Sequence, residues 1–444
     1  MPEARIPETL LGEGPNRLVR AIGRWSLAAL MVNIMIGAGI FGLPSALAGL
    51  LGRGSLLALL LGAVAAGVIV ACFSEVASYF SAAGGAYLYT RVAYGRFVGL
   101  QVGWMLWLVR LTAPAASANL FVVYLGEFWP WASHRMPRAL ILTVLIGGLA
   151  LVNCLGVKRA ARISDVFTIA KLLPLAVVTF AGIAFLSAHP QAANIPAHAP
   201  HLREWLKASL LIVFAYGGFD AAILATSELK SPRRDVAVAL FAALATCTVV
   251  YLAVQWATLG TVADLAHSSR PLADVARTVF GHAGAALVAV GGLIAVFGNL
   301  SANTLAVPRI TFALAEQGDF PSFFARVHPR FRTPYVSICV FALLVWAFAL
   351  GGNFAWNATL SAIARLLYYA AICAAVPVLR KKMPGAAQFY LLGGPWFAAL
   401  GVAICVVLFS QVDLGGSLIL LATFVVATLN WAAVRGKPTA CDSL

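Results

Sequence analysis

Residues 33–44 read NIMIGAGIFGLP, which puts Gly37, Gly39, Gly42 and Pro44 in the middle of an otherwise apolar run over 25–51. Glycine in a helix costs about 1 kcal/mol relative to alanine, and proline about 3 kcal/mol. In lipid the cost rises, because freed N–H and C=O groups find no water. Close helix packing through small residues is one account of such a stretch. A second interruption points elsewhere. Residues 211–232 read LIVFAYGGFDAAILATSELKSP, with Gly217 and Gly218 in mid-span and the acid Asp220 just after them. Unwound backbone at two such places lines a cavity. Half-helix N-termini offer N–H donors to a carboxylate. Half-helix C-termini and loose carbonyls accept from an ammonium. A zwitterionic α-amino acid matches both. The candidate binding residues are Ile36, Gly37, Ala38, Gly39 and Ile40 at the first break, and Phe214, Ala215, Tyr216 and Gly217 at the second. Asn303 joins them from a polar group, Asn299, Ser301, Asn303 and Thr304, in the eighth apolar run.

Charged residues inside apolar runs are expensive and suggest function by default. Arg110, Lys171, Arg309 and Arg365 are the basic ones, and Glu75, Asp220 and Glu228 the acids. Lys171, in TIAKLLPLAV, stands about seven residues into its run, roughly 10 Å at 1.5 Å per residue. It either snorkels to the interface or is a buried ammonium whose protonation can switch. Asp220 has three readings: a proton carrier, a partner for a cationic substrate group, or a partner for a buried arginine such as Arg110. Glu75 reads as a structural partner for Arg91 or Arg96. Arg309 reads as a gate or loop pairing. Trp104 and Trp107 line the cavity or pack.

The elements that must position these residues follow from composition. The chain has 444 residues, 61% hydrophobic and only 11% charged. Soluble domains carry about 25% charged residues, so this is an all-α membrane protein rather than a soluble fold. Apolar runs long enough to span a bilayer number twelve, from 26–50 to 415–435. With the N-terminus in the cytoplasm, 20 of the 31 Lys and Arg fall on the cytoplasmic side and seven opposite, which is the positive-inside pattern. The net charge of +15 therefore reports topology and contact with anionic membrane lipid, not nucleic acid. The two interrupted runs are the first and the sixth. If runs 1–5 and 6–10 are repeats, each break lies in the first helix of its repeat. An odd number of spans per repeat gives the two opposite topology.

Other classes fit poorly. The seven Cys are scattered with no CxxC spacing, and the seven His lie in or near loops, so no metal site or cofactor is expected. No nucleotide-binding loop is present, so transport would run on a gradient or on exchange. A channel would need pore-lining rings, and an intramembrane enzyme a nucleophile–base pair at depth. No catalytic role and no obligate protein partner are expected. A sensor that binds amino acid without moving it remains an alternative.

Four motifs in order carry a resemblance: IGAGIFGLP in the first run, FSEVASYFSAAGGAYLYTRVAYG (73–95), FAYGGFDAAILATSELKSPRRD (214–235) and LAVPRITFALAEQGDFPSFFARVHPRFRTPYVSI (305–338). The chain resembles the amino acid–polyamine–organocation (APC) superfamily of transporters. The resemblance implies twelve transmembrane helices in the 5+5 inverted-repeat (LeuT-type) fold, with discontinuous helices 1 and 6. It assigns 1–24 to a cytoplasmic tail, 25–187 and 205–380 to the two five-helix repeats, 388–435 to helices 11 and 12, and 436–444 to a second cytoplasmic tail. It implies an amino acid permease of the cytoplasmic (inner) membrane, multi-pass with both termini cytoplasmic, working by symport with protons or by antiport. Phe214 matches the family's aromatic gate over the substrate. Lys171 matches a lysine that stands in for a sodium ion, and with Asp220 it is the proton-coupling candidate. SELKSP replaces the usual EEVKNP, so Ser227 stands where an acid often does.

Overall fold

The computed structural model describes residues 23–80, 84–156, 160–189, 200–223 and 232–436, with backbone alone for 160–172, 222, 232 and 233. Among the described residues every regular element is helical. The first broken run gives α1 (Arg24–Met35) and α2 (Gly39–Leu51), followed by α3 (Gly54–Ser78), α4 (Gly85–Tyr94) and α5 (Arg96–Leu125). Next come α6 (Arg135–Leu155) and α7 (Ala160–Ala188). The second broken run gives α8 (Leu202–Tyr216) and the single turn α9 (Phe219–Ala222). The remainder is α10 (Pro232–Thr261), α11 (Pro271–Glu316), α12 (Tyr335–Gly351), α13 (Phe354–Lys382), α14 (Gly394–Phe409) and α15 (Leu414–Val434).

Among the described residues seven helices, α3, α5, α6, α10, α11, α13 and α15, are long and apolar enough to cross a membrane. The pair α1–α2, bent by 56°, counts as an eighth. Residues 173–188 of α7, α12 and α14 are shorter apolar helices. The molecule is apolar outside and partly polar inside. Leu61 and Val64 on α3, Leu140 and Val144 on α6, and Leu421 and Leu429 on α15 are exposed. Glu75, Asp220, Asn357, Ser361 and Arg365 are buried. Water would drive such a surface to aggregate, whereas lipid solvates it and pushes the charged groups inward. The chain is an integral membrane protein.

The breaks have local causes. Ile36 leaves the helix at ψ 69°, and the chain re-enters it at Gly39. At the second break Gly217 is extended (φ −75°, ψ 165°) and Gly218 is left-handed (φ 108°). Glycine takes that conformation without the clash a side chain would make. Around them α1 packs on α10 and α9, α2 on α8, α13 on α5, and α11 on α7 and α5.

Two details differ from the sequence expectation. The ten-residue α4 matches no expected span. It lies almost wholly buried against α5 and α13, too short to cross. Glu75 takes Arg380 rather than Arg91 or Arg96, in a bidentate pair at 2.6 and 2.7 Å, and also accepts from the Leu391 N–H. Arg91 and Arg96 instead reach Asp319 at 2.8 and 3.2 Å. Both pairings join segments more than 200 residues apart, a distance over which sequence order says nothing about partners.

Candidate functional site

The two breaks meet. The hydroxyl of Tyr251, on α10, lies 2.8 Å from the Met35 carbonyl at the end of α1 and 2.8 Å from the Ala215 carbonyl near the end of α8. A phenol has one proton to donate, so the two carbonyls share it. The two breaks also approach each other directly: a Cβ built on Gly218 would lie 3.2 Å from Cγ2 of Ile34 and 3.6 Å from its carbonyl oxygen. Two further hydroxyls tie neighbouring helices together: Tyr124 donates to the Phe41 carbonyl on α2 at 2.9 Å, and Tyr216 to the Leu59 carbonyl on α3 at 3.2 Å. Of these tyrosines, Tyr251 supplies a donor that the broken helix ends cannot obtain from water in lipid.

The arrangement places donors and acceptors side by side. Because α2 starts at Gly39, its first N–H groups have no acceptor within the helix; that of Phe41 bonds the Ala38 carbonyl at 3.1 Å, which leaves those of Gly39 and Ile40 as the donors at the break. They carry the positive end of the helix dipole. The ends of α1 and α8 present carbonyls with the opposite sign. Phe214 stands one turn before Gly217, half-buried, with its ring across the start of α2. A Cβ on Gly39 would sit 3.3 Å from Cε1 of Phe214 and 3.2 Å from Cδ1 of Leu43. The ring meets Phe354 edge-on at 6.2 Å. Ile36, Ala38, Gly39, Ile40, Ala215, Tyr216 and Gly217 are buried around this point, and Gly37 is half-buried.

Asn303 sits less centrally than expected. Its Nδ2 bonds back to the Asn299 carbonyl at 2.9 Å. Asn299, one turn earlier, is the α11 side chain at the first break, since a Cβ on Gly37 would lie 3.6 Å from its Nδ2. Ser117 donates to Asn299 Oδ1 at 3.5 Å. Sequence had both asparagines in view but not which of them faces Gly37.

Charge gathers at the second break. Nη2 of Arg110 lies 3.3 Å from Oδ2 of Asp220, and Oδ1 of Asp220 accepts from the Gly218 N–H at 3.2 Å. Of the three readings of Asp220, pairing with an arginine is the arrangement present, with Asp220 buried and Arg110 half-buried. Arg365, from α13, packs its guanidinium directly on Gly217. Its Nη1 is 3.4 Å from the Phe214 carbonyl, and its Cζ is 5.9 Å from the Phe214 ring centre. The backbone of Lys171 lies on α7, which packs on α10 and α11, but its side chain is outside the described residues, as are Ser227 and Glu228. Trp104 and Trp107 pack: Trp104 stacks on Phe320 at 4.7 Å, and Trp107 donates to Thr311 at 3.1 Å. Arg309 is exposed and turns back to the Leu305 carbonyl. No group of three or more metal-ligating side chains occurs among the described residues.

Tyr251 and Asn299 are thus site residues that the candidate set lacks. A tyrosine in an apolar run has no spacing signal that marks it as a bridge.

Known proteins of similar sequence agree on a class. The family model for amino acid permeases matches residues 22–431. The methylthioribose transporter of Bacillus subtilis (strain 168) is 27% identical over 395 residues, 85% of each chain. The serine/threonine exchanger SteT of the same organism is 27% identical, covering 84% of this chain and 86% of its own. The branched-chain amino acid permease BcaP, also from that organism, is 26% identical over 90% of both chains. A family match over nearly the whole length, on a bundle whose two broken runs meet, leaves one conclusion: the chain belongs to the amino acid permease family.

Proposed function

We propose that the chain is a secondary active transporter of amino acids in the cytoplasmic membrane, coupled to protons and working by alternating access around the two breaks. The observation that carries this reading is the Tyr251 hydroxyl held between the carbonyls of Met35 and Ala215. It joins two discontinuous segments into one site with N–H donors on one side and carbonyl acceptors on the other. Such a site fits the carboxylate and ammonium of an amino acid. The twelve-span reading assigns α1–α2, α3, α5, α6 and α7 to one repeat. It assigns α8–α9 with the residues after it, α10, α11, α12 and α13 to the second, inverted repeat, with α14 and α15 appended. The even span count and the basic loops support cytoplasmic termini.

Phe214 is the gate in this reading, closing over substrate at the start of α2. Phe214→Ala is expected to cut uptake at least tenfold while the melting temperature falls only a little, because the ring is only half-buried. A stability loss of about 3–5 kcal/mol, the range for a core aromatic, with normal turnover of the surviving protein would make Phe214 a packing residue instead.

Lys171 is the proposed switch, with Asp220 in reserve. An ammonium in place of a bound sodium ion would repel a second cation, so uptake should follow protons. A tenfold bias between inward and outward states needs only about 1.4 kcal/mol. The measurement is uptake into proteoliposomes with sodium and pH gradients varied separately, for wild type and Lys171→Ala. Wild-type uptake should rise several-fold with an imposed pH gradient and ignore sodium, and Lys171→Ala should lose the response. Sodium-stimulated uptake indifferent to pH would overturn the coupling. The alternative is obligatory exchange, favoured by the similarity to a serine/threonine exchanger. Uptake that requires internal amino acid would establish it.

A further inference from the structure

The relatives' names cover different cargoes, a sulfur-containing sugar, small hydroxylated amino acids, branched aliphatic ones and cationic ones, so the substrate class has to come from the site itself. Three features of the second break bear on it. The first is charge. Among the described residues, two guanidiniums, Arg110 and Arg365, stand at Gly217–Gly218 with one carboxylate, Asp220. Arg110 pairs directly with that carboxylate, which also attracts Arg365 but does not touch it; the direct contacts of Arg365 are a backbone carbonyl, a glycine and a ring face. Arg365 is 5% exposed. A buried charge calls for a counter-charge.

The second feature is a set of donors. Nε of Arg365 is buried without a hydrogen-bond partner, and the buried hydroxyls of Tyr368 and Tyr369 find no partner but each other. The tyrosines are three and four residues on from Arg365, hence on its side of α13. The Tyr369 ring stacks on Phe219, the neighbour of Asp220, at 5.6 Å. Each buried donor without an acceptor costs about 1–3 kcal/mol. A guanidinium has no acceptor atom, so only an acceptor can complete it.

The third feature is occupancy. The carbonyl end of α8 is one of the two places for a substrate ammonium. Here the Arg365 guanidinium already lies against it, at the Phe214 carbonyl and on Gly217. A second cation there would meet like charge in a low-dielectric setting. The ammonium is left with the end of α1, and the guanidinium at the second break suits an anion.

We propose that Arg365, with Tyr368 and Tyr369, forms a carboxylate subsite, so that the substrates are acidic amino acids. The inference rests on the amino acid reading of the site above. The α-carboxylate goes to the start of α2, and the side-chain carboxylate goes to Arg365. Charge-assisted bidentate bonds to arginine are the strong form of such recognition, and an amide in place of the carboxylate leaves the guanidinium without its counter-charge.

The test is ligand-induced thermal stabilisation of the purified full-length protein, titrated with L-glutamate, L-aspartate, L-glutamine, L-asparagine and the other common amino acids. The acids are expected to half-saturate at concentrations at least tenfold below their amides, and Arg365→Gln should reduce that ratio to within about threefold. The wild-type panel decides the matter even if the variant does not fold. Amides or other neutral amino acids that bind as well as the acids would overturn the inference and leave the amino acid reading standing. An acid preference undiminished in Arg365→Gln would overturn the assignment to Arg365. No stabilisation by any amino acid would overturn both.

Discussion

Gly39→Leu is expected to reduce transport to the level of protein-free vesicles while the protein still inserts and folds. The backbone at Gly39 is helical, so a side chain is allowed there by conformation. What it lacks is space. The Cβ alone would stand 3.2 Å from Leu43 and 3.3 Å from Phe214, and the rest of a leucine would occupy the Phe214 ring position. Phe214 would have to swing away from the start of α2, and the new side chain would cover the N–H groups meant for a carboxylate. Overpacking of this kind costs about 1–3 kcal/mol, which a large helical bundle absorbs. Function should therefore fail well before stability does. Gly39→Ala, which asks its neighbours to move by a few tenths of an ångström, should retain partial activity. Uptake by reconstituted protein, read beside its melting temperature, checks this. Normal transport by Gly39→Leu would place the substrate somewhere other than the first break.

Asp220→Asn is expected to lower stability by about 3–5 kcal/mol, the range for removing one partner of a buried ion pair. Asp220 is the carboxylate shared by the buried end of Arg110 and the Gly218 N–H. Its loss leaves Arg110 and Arg365 facing each other's charge inside the membrane. Thermal melting in detergent measures the change. The double variant Asp220→Asn/Arg110→Gln should be less destabilised than the sum of the single ones, the sign of a direct coupling. A loss under about 1 kcal/mol, typical of exposed pairs, would show that the cluster is hydrated and that its charge balance does not constrain the site.

The parts that sequence made legible are those with a one-residue physical signature. Gly37 in an apolar run and the Gly217–Gly218 pair mark where the two helices break, and both breaks lie where they were expected, whereas Gly39, Gly42 and Pro44 stand inside the unbroken α2. Arg110, Asp220 and Arg365 stand out because charge in lipid is rare. Their partners were another matter. Asp220 is a candidate partner for Arg110 that sequence alone leaves without geometry, and Arg365 has none, because contact between α13 and the end of α8 depends on how the helices cross. The choice of Arg380 for Glu75 is of the same kind. Tyr251 was invisible for a different reason. Its role depends on standing where two carbonyl ends converge, a property of the assembled bundle. Asn299 and Asn303 differ by one helical turn, and periodicity puts both on one face. Only the fold decides that Asn299 meets Gly37. The short α4 lacks the length of a span and was passed over, although its burial makes it part of the core.

The central claim is that an amino acid crosses the membrane through the joined breaks. Counterflow tests it most directly. Proteoliposomes loaded with a concentrated unlabelled amino acid mixture are diluted into traces of labelled amino acids, one at a time, with wild-type protein, Gly39→Leu and no protein compared. A carrier predicts transient accumulation of at least one label above its equilibrium level with wild type, and none with Gly39→Leu or empty vesicles. Wild-type vesicles indistinguishable from empty ones for every amino acid would contradict the account.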